Sequence, residues 1–206
     1  MSTEAVTQSG ACASEWEQDL RWRMTRAMPE DTVRGVFFNG TLEEVGALGG
    51  EAVVRACLEA TGEEKFLDFY NYPLRGLLRL LYCAAKQLGP EWGGGEAVLR
   101  RLSRHANADF LNSPVGRAAL LLANGSPRRL VDTAPQLYRQ SASFGQHAVV
   151  WTGPGRGRFL LKGDLWPAAC HEGALEAYLQ AAGGRRVRVE RQWVEGLDGE
   201  YAFSWE

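Results

Sequence analysis

Apolar residues along this chain follow two periods, and the change from one to the other divides it. From Glu15 to about residue 138 they recur three and four positions apart, the spacing that lines up one face of a helix. EWEQDLRWRMTRAMPE carries Trp16, Leu20 and Met24 at intervals of four, although Leu20, Trp22 and Met24 also alternate as in a strand; Pro29 ends the segment either way. DTVRGVFFNGTLEEVGAL predicts a helix capped by Asp31 or Thr32, with Phe37, Phe38, Leu42 and Val45 on its buried stripe. Gly49-Gly50 separates it from a short helix, EAVVRACLEATG, which Gly62 stops. Pro73 stands at the next helix start, and Leu74, Leu77, Leu78, Leu81, Ala85 and Leu88 follow at helical spacing. Beyond Trp92-Gly93-Gly94-Gly95, residues 96–110, 115–123 and 127–138 predict three more helices, divided by Asn112-Ser113-Pro114 and Asn124-Gly125-Ser126-Pro127.

After residue 138 the period shortens. HAVVWTG and GRFLLKG are short, apolar and rich in strand formers, joined by the turn GPGRG. A helix over about 167–182 ends at Gly183-Gly184. Two more strands follow, RRVRVERQWV and EYAFSWE, with Leu197-Asp198-Gly199 as the hairpin turn between them. The order predicts the α+β class: a helical N-terminal two-thirds packed on a C-terminal antiparallel sheet of about four strands, arranged ββαββ. One domain is expected over residues 15–206, behind a small, polar, flexible tail over 1–14.

Composition narrows the partners. The 206 residues are 45% hydrophobic and 23% charged, with a net charge of −2, so the arginine clusters (Arg100, Arg101, Arg104; Arg128, Arg129; Arg185, Arg186, Arg188, Arg191) are balanced by acids. They read as solvated faces, and nucleic acid is not an expected partner. No run approaches the roughly 18 apolar residues that cross a bilayer, and MSTEAVTQSGACASEW lacks the basic start and apolar stretch of a signal peptide, so no membrane span and a cytoplasmic location are expected. Cys12, Cys57, Cys83 and Cys170 stand singly, without metal-site spacing, and read as free, mostly buried thiols.

One stretch invites chemistry. Cys170-His171-Glu172 puts a thiol, an imidazole and a carboxylate on successive residues. Adjacent helical residues point about 100° apart and cannot face one substrate atom, so the triplet reads as the first turn of a helix begun near Pro167, with Glu172 complementing the helix dipole. His171, Leu175, Tyr178, Leu179 and Ala182 then form one stripe, and Cys170, Ala174, Ala177 and Ala181 a second stripe of small side chains that permits close packing. Gly153-Pro154-Gly155-Arg156-Gly157 lies between strands and reads as a hairpin loop, not a phosphate cradle. His105 reads as a surface or packed residue rather than an axial haem ligand, and Glu43-Glu44 and Glu63-Glu64 as solvated pairs. No Gly-x-Ser-x-Gly, His-Glu-x-x-His or paired-cysteine motif occurs. Catalytic residues, metal and cofactor are therefore all expected to be absent.

DTVRGVFFNGTLE, NYPLRGLLRLL, CHEGALEAYLQAAGGRRVRVERQW and the closing LDGEYAFSW resemble a domain family of unknown function known as multiple paralogues in myxobacteria, over about residues 15–206. The last forty residues also resemble, more distantly, the vinyl-four-reductase ligand-binding domains, whose architecture is shared with the Bet-three subunits of the Golgi transport-particle complex and with haem-nitric-oxide sensor domains. Glu172-Gly173-Ala174-Leu175-Glu176, Val187-Arg188-Val189-Glu190 and the final aromatic strand carry that likeness. The resemblance implies the NO-signalling and Golgi-transport ligand-binding fold. This chain departs from it where those families do chemistry: Trp193 and Tyr201-Ala202-Phe203 stand where the reductase domains carry cysteines, and Tyr138-Arg139-Gln140-Ser141 does not reproduce the Tyr-x-Ser-x-Arg element of the haem sensors.

The expectation is a non-enzymatic signalling or regulatory module that binds a small apolar ligand between helices and sheet, in a pocket formed by Phe37, Phe38, Phe69, Tyr70, Tyr72, Leu77 and Tyr138. The alternative is a scaffold or adaptor acting through protein association, as a homodimer or in a trafficking or signalling complex, for which the seven tryptophans would supply anchors.

Overall fold

A computed structural model describes residues 15–206. The tail expected over 1–14, with Cys12, lies outside the described residues. The opening segment is a helix, α1 (Glu15–Arg26), which settles its double reading. Its anchor is polar. The buried Arg23 guanidinium donates to the Tyr82 hydroxyl at 2.9 Å, to Asp19 at 3.1 Å, and to the carbonyls of Leu165 and Trp166 at 3.3 and 2.9 Å.

The expected cap at Asp31 or Thr32 is corrected. Thr32–Arg34 is a short strand, β1, paired antiparallel with β2 (Asn71–Pro73), and the helix begins only at Gly35. Three residues are too few for alternation to declare itself, and the partner strand lies some forty positions away. The helix α2 (Gly35–Thr61) is interrupted at Gly50, whose φ of 73° and ψ of −177° are not helical, so two arms meet where Gly49-Gly50 predicts a break. Gly62, at φ 82°, closes it in the left-handed conformation.

Next come α3 (Leu74–Leu88), α4 (Gly95–Asn112), α5 (Pro114–Ala123) and α6 (Pro127–Ser141). Ser113 and Ser126 cap the last two through their side chains, each followed by a proline in the first turn. The sheet comprises β3 (Gln146–Gly153), β4 (Arg156–Lys162), β5 (Arg188–Glu195) and β6 (Asp198–Ser204), antiparallel throughout in the order β3-β4-β6-β5. The helix α7 (Ala168–Ala181) lies between the two hairpins in the chain. The α+β architecture matches the expectation. The second hairpin turns at Gly196-Leu197, one residue before the expected tripeptide, with Gly196 at φ 61° in the first turn position and Asp198 paired to Glu195. Phe159 and Leu161 of β4, Val189 of β5 and Tyr201 and Phe203 of β6 point into the core.

The tightest glycine contact among the described residues lies on α7. A Cβ placed on Gly173 would stand 2.0 Å from the Arg100 carbonyl oxygen and 2.9 Å from the Arg104 nitrogen, so the α7 backbone lies directly on α4. Charges flank this contact. Glu172 is buried rather than sited to complement the helix dipole as expected: its carboxylate meets Arg100 of α4 at 3.2 Å and Arg191 of β5 at 3.1 Å. Three elements thus share one ionic junction. Gly173→Ala is expected to destabilise the fold by about 3 kcal/mol, the upper range for overpacking, because the obstacle is backbone that cannot rotate away. A urea unfolding curve checks it; an unchanged midpoint would show that the helices can separate freely.

Candidate functional site

The seven residues expected to line one pocket do not meet in one. Phe38 and Tyr72 cluster with Phe66, at centroid distances of 4.1 Å for Phe38–Phe66 and 4.9 Å for Phe66–Tyr72, and Leu77 is buried in α3. Phe69 and Tyr70 pair with each other on the surface, 70% and 55% exposed. Phe37 and Tyr138 remain. Both line a cavity of about 60 Å³ among α2, α4, α6 and α7, together with Trp166, Cys170, His171 and Tyr178.

Beside that cavity lies an arrangement the sequence reading did not find. His147 is the second residue of β3, where strand alternation turns its ring inward. Asp164 follows β4, after the positive-φ turn at Gly163; its main-chain N–H donates to the Leu197 carbonyl at 2.8 Å, and Asp198 accepts from the Gly163 N–H at 2.8 Å. His171 sits in the first turn of α7, which Pro167 opens. These separate elements deliver both imidazoles to one carboxylate. Nε2 of His147 lies 2.7 Å from Oδ2 of Asp164, and Nε2 of His171 lies 3.2 Å from Oδ1. The Tyr138 hydroxyl donates to Oδ2 and the Trp166 N–H to Oδ1, each at 2.8 Å. The three side chains are 3%, 1% and 8% exposed for His147, Asp164 and His171.

Electrostatics follow from this burial. Burial pushes the Asp164 pKa up, but the charge of His171 and hydrogen bonds from both histidines outweigh it and hold the carboxyl well below its usual range. Burial lowers His147 against the pull of Asp164. Burial, reinforced by Asp164, keeps Tyr138 protonated. Cys170 points elsewhere: burial raises its pKa, and its thiol donates to the Leu99 carbonyl at 3.8 Å, so it is no activated nucleophile. Cys170, His171 and Glu172 are all helical, but Glu172 lies past the first turn and His171 gains partners from far along the chain. A carboxylate with two imidazoles is also a metal donor set.

His105 faces a different environment. Nδ1 lies 3.2 Å from Glu44 and Nε2 3.4 Å from Asp109, whereas α4 contributes Ser103 and Asn107 to the interior cavity. Glu43 and Asp109 continue from there into an open groove of about 950 Å³, with Arg34, Arg117 and Arg139 also in its lining. Glu44 is not a solvated acid as expected, being buried and paired with Arg101.

The family model described as "Protein of unknown function (DUF2378)" matches residues 26–206, and the chain belongs to that family. No curated protein matches it in sequence. Solved H-NOX structures share its fold. An H-NOX variant from K. algicida, Fe(II) and unliganded, superposes with a TM-score of 0.64 at 14% identity, covering 84% of this chain and 96% of that one. The Shewanella oneidensis H-NOX domain in its Fe(II)CO state gives 0.65 at 13%, covering 84% and 98%. An S. oneidensis H-NOX protein in its Fe(II)NO state gives 0.63 at 12%, covering 84% and 99%. Among the described residues no helix is long and apolar enough to cross a membrane.

Stability should depend on pH through this cluster. An unfolded imidazole titrates near 6.5 and an unfolded aspartate near 3.9, and both His147 and Asp164 are depressed in the folded chain. Each therefore contributes stability that is present above its unfolded pKa and lost as pH falls toward its folded one. The urea midpoint is expected to decline from pH 7 to pH 5 through His147 and again below about 4 through Asp164. In His147→Gln the first decline should shrink; an equal decline would assign it elsewhere.

Proposed function

We propose that this chain is a non-enzymatic regulatory module that takes up a neutral molecule of a few heavy atoms in the cavity bounded by Phe37, Tyr138, Trp166, Cys170, His171 and Tyr178. The carrying observation is the cavity itself, of about 60 Å³, with Ser103, Asn107, Ser141 and His171 among its polar residues. That volume holds a few water-sized groups and falls well short of the roughly 300–1,000 Å³ of a drug-sized ligand site.

Haem, named for a solved structure of the H-NOX family that shares the fold, does not fit these residues. Phe37 stacks on Phe110 at 5.3 Å and meets Trp166 edge-on at 6.0 Å, so aromatic side chains fill the interior beside the cavity. His105 lies beside Glu44 and Asp109, at 3.2 and 3.4 Å, and does not line the cavity. Hemin added to the folded chain is accordingly expected to give no coordinated Soret band. Xenon pressure is expected to shift the amide resonances of Phe37, Tyr138, Cys170 and Ala174, and Ala174→Leu, which fills the cavity, to abolish the shifts. A coordinated Soret spectrum, or xenon shifts that survive the filling, would overturn the proposal.

A second reading, protein association, is favoured by Leu121 and Leu122 on α5, which are 81% and 78% exposed. Under it, sedimentation equilibrium gives a dimer or larger species that Leu121→Glu with Leu122→Glu dissociates. A wild-type monomer that recovers no partner removes it.

A further inference from the structure

We propose that His147, Asp164 and His171 bind one divalent transition-metal ion, of the class that imidazole nitrogen and carboxylate oxygen ligate together. This goes beyond the small-ligand reading and does not depend on it.

The donor atoms are already gathered. One ligand atom from each of the three residues lies within 4.8 Å of the other two. Donors on a common tetrahedral ion at about 2.0–2.2 Å stand roughly 3.3–3.6 Å apart, so the 2.7 Å contact of His147 with Asp164 opens by under an ångström as the ion enters and the 3.2 Å contact of His171 hardly moves. Two imidazoles with one carboxylate suit Zn²⁺ or Fe²⁺ and leave a coordination position for water or another small molecule.

A hydrogen-bonded cluster without an ion would also pair these groups, but three features favour the ion. The first is the outer shell. Tyr138 and the Trp166 N–H take one lone pair on each Asp164 oxygen, leaving one lone pair per oxygen toward the imidazoles. Metal-binding carboxylates are steadied in this way. On binding, each Nε2–H···O contact gives way to an Nε2–metal bond, and the ring proton moves to Nδ1 or leaves to solvent. The second is the framework: donors fixed on a strand, a loop and the first turn of a helix are held more precisely than a loop cluster. The third is space. His171 borders both the 60 Å³ cavity and a second one of about 10 Å³, shared with Asp164 under the β5–β6 turn, which matches about one water.

The test uses the full chain, treated with chelator and titrated with Co²⁺ and then Zn²⁺. The expected result is visible d–d absorption reaching its end point at one equivalent of Co²⁺ and displaced by Zn²⁺. His147→Gln and His171→Gln, folded by circular dichroism, should lose more affinity than the roughly 10–100-fold that removing an outer partner costs. Glu43→Gln with Asp109→Asn, which disables the acidic cluster around His105, should bind as the wild type does. If the histidine variants do not fold, the imidazole ¹⁵N spectrum of the wild type decides: Zn²⁺ should shift Nε2 of His147 and His171 and leave His105. Absence of stoichiometric uptake, uptake indifferent to both folded histidine variants, or loss of uptake in Glu43→Gln with Asp109→Asn alone overturns the proposal.

Discussion

The backbone of α7 rests on the backbone of α4 at Gly173, and the interior is organised around that contact. Without a side chain at that position, Glu172 is drawn into the interface, where Arg100 from one side and Arg191 from the other neutralise it. A buried carboxylate would be costly alone; with two guanidinium partners it joins α4, α7 and β5 at one point. His171 stands two residues earlier on the same helix. Its approach to Asp164 therefore depends on the seating of Gly173, and so does the arrangement of the whole polar cluster.

Asp164 shows what that cluster depends on in turn. A carboxylate this deeply buried retains its charge only because four donors converge on it, and in a poorly polarisable interior each donor matters more than it would in water. The loop that carries it is held from two sides. Arg23 of α1 grips the carbonyls of Leu165 and Trp166, and the β5–β6 turn accepts the Asp164 N–H. The chain shares its fold with H-NOX structures, and in its interior Phe37 packs against Phe110 and Trp166 while Tyr138 lines the small cavity with Phe37. A shared fold leaves the site to be argued from its own residues.

Much of the architecture is legible in local pattern. Helical spacing marks α3, α4 and α6, proline and serine mark the starts of α5 and α6, and glycine marks the kink at Gly50 and the end at Gly62. The pair β1 and β2 is not legible, because three residues on each side carry no period and their pairing joins distant segments. The site is less legible still. The aromatics Phe37, Phe38, Phe69, Tyr70 and Tyr72 look alike in sequence, yet they are divided between two buried clusters and the surface. Asp164, in Gly163-Asp164-Leu165-Trp166-Pro167, reads as a turn residue, and its hydrogen bond to the Trp166 N–H is a turn contact. One signal was available: of only three histidines, one sits at an inward position of a strand and another on the buried stripe of a helix.

The sequence by itself determined the helices from α3 onward and the four strands of the sheet, their order, the α+β class and the small-residue stripe of α7. Each of these rests on interactions between neighbours in the chain: periodicity, caps, turns and the absence of side-chain bulk. The tertiary structure alone decided that Tyr138, His147, Asp164 and His171 meet. Their donors come from a helix, a strand, a loop and a second helix, so no spacing records them, and only the packing of α7 on α4 and of the sheet beneath it brings them within hydrogen-bond reach.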